Sequence, residues 1–144
     1  MTADGATERE PFAELERAVH SEPTSGSAWE CLGRAYQEAD AYDLAQTAFE
    51  QAVRLDPGEA NHWYWLGRAR LETGDLQGAL EAARRAVELV PDGSGGRLLL
   101  GRAFGRLGVI RQAILHLEEA ARLDPRWPAP LGDLGWARMA VGEV

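Results

Sequence analysis

Lysine is absent from this sequence. Its 144 residues carry 15 basic side chains, every one of them arginine. Each cation is therefore a planar, permanently charged fork suited to carboxylates. There is one cysteine, Cys31, and only three histidines, His20, His62 and His116. A lone thiol closes no internal disulfide, and no His/Cys spacing resembles a zinc site. No apolar run approaches the roughly 20 residues that span a bilayer, which excludes membrane insertion by a helix. The polar N-terminus lacks the apolar core of a cleavable export signal. Positive charge is also in short supply. A net charge of -8 argues against nucleic acid, whose binding rests on a basic surface that neutralises phosphates. The expectation is a soluble cytoplasmic protein without metal or cofactor.

What is present is repetition. Trp29, Leu32, Gly33, Ala35 and Tyr36 recur 34 residues later as Trp63, Leu66, Gly67, Ala69 and Arg70. The next step gives Arg97, Leu100, Gly101, Ala103 and Phe104, and a fourth gives Leu131, Leu134, Gly135, Ala137 and Arg138. A second set follows each: Ala45, Phe49, Ala52 and Pro57 return as Ala79, Ala83, Ala86 and Pro91, then as Ala113, Leu117, Ala120 and Pro125. Apolar residues at i, i+3, i+4 and i+7 predict two helices per unit, A and B. The prolines stop each B helix. Gly74 and Gly108 suit the left-handed residue after helix A, and Asp75 can cap the following helix.

This order of Trp, Leu, Gly, Tyr, then Ala, Phe, Ala and Pro resembles the tetratricopeptide repeat family, and the likeness extends over roughly residues 11–144. It implies an all-α, right-handed solenoid of antiparallel helix hairpins with about eight helices. The expected division is a flexible acidic tail at 1–10 and a lone B helix at 11–25. Full repeats follow at 26–59, 60–93 and 94–127, then a partial one, helix A only, at 128–144. Leu134 and Val141 of that last helix are expected to lack a B partner. Helix A of the third repeat holds four glycines, Gly95, Gly96, Gly101 and Gly105. Each interior glycine costs about 1 kcal/mol against alanine, so this helix is expected to be the softest. The run from Asp92 to Arg97 is not a phosphate loop, because no Gly-Lys-Ser/Thr follows it.

In this family the A helices line a concave face. Carried onto the sequence, the resemblance implies a partner-binding surface containing Asn61, Tyr64, Trp65, Arg68, Leu98, Leu99, Arg102, Arg106 and Trp136. Arg34, Arg68 and Arg102 share one position of the repeat and form a ladder. Arg34 can pair with Glu38 and Arg68 with Glu72 at i,i+4. Arg102 faces Arg106 at the same spacing, so positive potential is expected to gather in the C-terminal half of the groove. Tyr, Trp and Arg are also the residues richest in binding hot spots. Some family members clamp a terminal carboxylate with Lys and Asn; Glu30, Arg34, Trp65, Gly95 and Leu99 stand at those positions here, so that pattern is absent.

No triad, metal ligand set or paired carboxylates emerge, and no histidine falls beside Cys31. The expected function is a non-catalytic scaffold whose ligand is a protein or peptide with acidic or carboxylate groups. Two alternatives are the repeat arm of a larger enzyme interrupted at Val144, and a structural protein that self-associates through its incomplete terminal repeats.

Overall fold

A computed structural model of the chain describes residues 10–142. Among these residues there are eight helices and no strand: α1 Glu10–Ser21, α2 Gly26–Glu38, α3 Tyr42–Leu55, α4 Ala60–Thr73, α5 Leu76–Leu89, α6 Ser94–Arg106, α7 Ile110–Leu123 and α8 Ala129–Ala140. Residues 1–9 of the expected acidic tail lie outside the described residues.

Local chemistry sets the ends of these helices. Helices α3, α5 and α7 stop at Leu55, Leu89 and Leu123, two residues short of Pro57, Pro91 and Pro125. Gly74 and Gly108 adopt φ values of 85 and 80, the left-handed conformation that glycine enters without a Cβ clash. The same position in the first repeat is Asp40, a non-glycine residue at φ 58. Aspartate is among the few side chains that tolerate this region. The Asp75 carboxylate accepts from the Gly78 amide at 2.9 Å and caps α5, as its place in the sequence implies.

Each helix packs on the next, and α2, α4, α6 and α8 also touch one another in succession, whereas α1, α3, α5 and α7 do not. Helices that meet in alternate layers lie on the shorter, inner side of a curved stack. The A helices therefore line the concave face.

Glycine and alanine make the close approach possible. A Cβ placed on Gly33 would lie 2.6 Å from the ring of Phe49, and one on Gly101 would lie 2.6 Å from Leu117. Phe49, Ala45, Leu66, Ala69 and Ala82 form one buried cluster. Leu71, Ala79, Leu80, Ala83 and Leu99 form the next, and Leu98, Ala113, Leu117, Leu134 and Ala137 the third. Trp29 and Trp63 are half-buried. Their indoles donate to the carbonyls of Pro23 and Pro57 at 3.1 and 2.8 Å, tying each A helix to the turn before it.

Two expectations about the last helix divide. Leu134 is buried, 6% exposed, because α7 supplies Ala113 and Leu117 against it. Val141 is 38% exposed.

Candidate functional site

Three clefts run along the A-helix face at one-repeat intervals. Between α2 and α4, Arg34, Gln37, Glu38, Trp65 and Arg68 enclose about 170 Å³. A second cleft, of about 260 Å³, lies among Arg68, Leu71, Glu72, Arg102, Arg106 and Asp133. In the third, Arg102, Gly105, Arg106, Asp133 and Trp136 line about 230 Å³ between α6 and α8.

The arginine ladder exists, but its rungs differ electrostatically. Arg102 donates through Nε to Asp133 at 2.6 Å. Arg106 lies 3.5 Å from Glu72 and also donates to the carbonyl of Leu71. These two cations, expected to concentrate positive potential in the C-terminal half, are partnered within the chain by acids on neighbouring A helices. The other two rungs face aromatic rings. Arg34 places its Cζ 4.7 Å from the ring centre of Trp65, and Arg68 places its own 4.9 Å from Trp65 and 5.9 Å from Tyr64. The negative face of an indole attracts a guanidinium. Tyr64 and Trp65 meet edge to face at 5.3 Å, and Phe49 supports Trp65 from the core at 6.2 Å.

The anticipated i,i+4 pairs are replaced by others. Arg34 lies 3.9 Å from Glu30, one turn back, and Glu72 goes to Arg106 rather than Arg68. Among the described residues Arg68 has no carboxylate within salt-bridge distance. Gln37, which lines the same cleft, is 9% exposed, and its Oε1 is buried without a hydrogen-bond partner.

Leu98 and Leu99 require correction. Both were expected to lie on the groove, and they are 0% and 1% exposed. Leu99 falls into the space left by the missing side chain of Gly67: its Cδ1 lies 2.9 Å from where a Cβ there would stand. Leu98 joins the core between α6, α7 and α8. Neither offers surface to a ligand.

The other residues of the expected site remain accessible. Asn61 is exposed, Tyr64 is half-buried against Gly95, and Trp136 is 57% exposed with its ring edge over Gly105. Asn61 and Tyr64 border a further cleft of about 230 Å³ with Gly93, Ser94 and Trp127. Cys31 is exposed.

One structural device escaped the sequence reading. His62 is 2% exposed and its Nδ1 lies 2.6 Å from Glu30, with Asp56 3.9 Å from Nε2. A Cβ on Gly26 would lie 2.9 Å from the same ring, so the glycine that opens α2 makes room for it. Glu30 is thereby held in the joint between α2 and α4. The signal was available as a histidine where the equivalent residues are Ala28 and Gly96, but its carboxylate partners lie in the preceding repeat.

Residues 32–94 match a family model described as tetratricopeptide repeat. None of the curated proteins matches the chain. Among solved structures, TTC0263, a thermophilic TPR protein of Thermus thermophilus, is 28% identical and superposes with a TM-score of 0.78 over 83% of this chain and 67% of that one. MamA from Desulfovibrio magneticus RS-1, from its residue 41 onward, gives 0.82 at 21% identity over 94% and 76%. The first TPR of Spaghetti (RPAP3), bound to an HSP90 peptide, gives 0.77 at 18% identity over 82% and 94%.

Proposed function

We propose that the chain, whose residues 32–94 match a tetratricopeptide repeat model and whose fold is that of tetratricopeptide repeat proteins, is a non-catalytic scaffold holding a peptide or protein segment in the groove of its A helices. Acidic side chains of the ligand engage Arg34 and Arg68, with Trp65 and Tyr64 beneath them. One observation carries this reading: two guanidiniums lie over Trp65, and among the described residues neither has a carboxylate closer than 3.9 Å. A ligand carboxylate there gains a charge-assisted hydrogen bond without first breaking a close ion pair. At Arg102 and Arg106 it would have to displace Asp133 and Glu72.

Trp136 extends the same face toward the last helix, and Asn61 borders the neighbouring cleft with Tyr64. The likeness to a repeat solved with a bound peptide agrees with this mode of use, although the Lys/Asn carboxylate clamp is absent here.

The test is binding to an immobilised array of peptides graded in acidic content. Trp65→Ala is expected to weaken the best binders about 30-fold, the ~2 kcal/mol of an aromatic hot spot. The pair Arg34→Ala/Arg68→Ala should lose the preference for acidic peptides, whereas Arg102→Ala/Arg106→Ala should retain it. The reverse order would move the site to the C-terminal clefts. Equal binding by all variants would remove it from the groove.

A further inference from the structure

The two outermost helices of the described stack carry halves of one interface. In every hairpin the A helix offers a glycine to its own B helix: Gly33 meets Phe49 at 2.6 Å, Gly101 meets Leu117 at 2.6 Å, and Gly67 meets Ala82 at 3.4 Å, each measured from a Cβ built on the glycine. On α8 the same position is Gly135, and nothing lies within 4 Å of it. Beside it Leu131 is 55% exposed and Val141 38%. This is an A-type face with no helix against it among the described residues.

Helix α1 shows the converse. It is a B-type helix, and Ala18 holds the position of Ala52, Ala86 and Ala120, which are 0%, 5% and 0% exposed. Ala18 itself is exposed, and Leu15, at the position of Phe49 and Leu117, is half-buried where they are fully covered.

We infer that α1 of a second copy of this chain docks on α8, so that copies stack head to tail through the same A–B packing that builds each hairpin. The repeat register assigns the contacts. Leu15 of the second copy takes the place of Phe49 and Leu117 and lies over Gly135. In the third repeat Phe104 and His116 stack at 5.5 Å. The same repeat positions are held by Arg138 on α8, one repeat after Phe104, and by Glu14 on α1, three repeats before His116, both exposed. The pair that is aromatic inside the chain thus becomes an arginine and a glutamate between copies, and the charges are complementary. Arg138 now reaches Glu118 at 2.9 Å, with both side chains nearly half exposed, so it stands at this rim. The α1 face of one copy meets the different α8 face of the next, which makes the contact heterologous and able to extend.

Sedimentation of the full chain over a range of concentrations tests the inference. Wild type is expected to exceed twice the monomer mass as concentration rises. Gly135→Arg blocks the α8 face and Ala18→Arg blocks the α1 face. Both substitutions enter exposed positions, and unchanged circular dichroism checks that each variant is folded. Each should be monomeric alone, and an equimolar mixture should form a dimer that grows no further, because one intact pair of faces remains. Glu14→Arg and Arg138→Glu should each weaken association at least tenfold, and the two together in one chain should restore it. A wild type that stays monomeric overturns the proposal. So do single-end variants that still associate, a mixture that stays monomeric, or charge reversals that do not rescue one another.

Discussion

A single repeat position illustrates how much one residue's consequence depends on its neighbours. Gly33 and Gly135 are equivalent in sequence, yet a Cβ would collide with Phe49 at the first and meet open space at the second. Gly33→Ala gains about 1 kcal/mol of helix propensity but overpacks a ring that is 0% exposed, an effect of about 1–3 kcal/mol. The net expectation is a loss of up to roughly 2 kcal/mol. Gly135→Ala, with no opposing contact, should gain up to about 1 kcal/mol. Urea denaturation of the two variants measures both, and equal signs would refute the packing assigned to Gly33. The position filled by Trp65, Leu99 and Asp133 makes the same point. Trp65 stacks under arginines, Asp133 binds Arg102, and Leu99 drops into the core because Gly67 lies across from it. The residue types were legible in the chain; which of them pointed outward was not, since that depended on a glycine one repeat away.

Among the elements, α1 is tied to the stack by one polar contact and one aromatic contact on the same residue. The Tyr36 hydroxyl donates to Glu16 at 2.8 Å, and Phe12 packs on the same ring at 4.8 Å. Burial, then the hydrogen bond and charge of Glu16, push the Tyr36 phenol up to about 12. A raised pKa here means that the native state favours the protonated phenol. Its contribution is full below the ordinary tyrosine value of 10.0 and is lost as pH rises through about 12. Phenolate absorbance should therefore show one tyrosine titrating late, with α1 loosening as it does. Tyr36→Phe removes the donor and should cost about 1 kcal/mol, with faster amide exchange confined to α1 and its contact on α2. Exchange that rises evenly over the chain would contradict this local role. The helices themselves follow from apolar periodicity, prolines and left-handed glycines, all local signals. The bond from Tyr36 to Glu16 spans 20 residues, and no local pattern announces it.

At the scale of the whole molecule, each hairpin touches only its neighbours along the stack. Stability in such an array is close to a sum of repeat and interface contributions. Leu98 lies in the cluster shared by α6, α7 and α8. Leu98→Ala should cost about 2–5 kcal/mol there. Hydrogen exchange is expected to quicken across α7 and α8 while α2 and α3 stay protected. Uniform loss of protection would show a more cooperative stack than the contact pattern implies.

The sequence by itself determined the period, the helix boundaries and the arginine ladder, because spacing, proline and glycine act through the backbone within a few residues. It also excluded a disulfide within the chain, since one cysteine has no partner to bridge to. Only the tertiary structure decided which rungs of the ladder are partnered. Arg102 meets Asp133 across 31 residues, whereas Arg34 meets the ring of Trp65, also from the next repeat. It likewise decided that Leu98 and Leu99 are core and that Gly135 and Ala18 are open. A helix presents its residues in a periodic order, but the charge or cavity opposite each one comes from another turn of the solenoid.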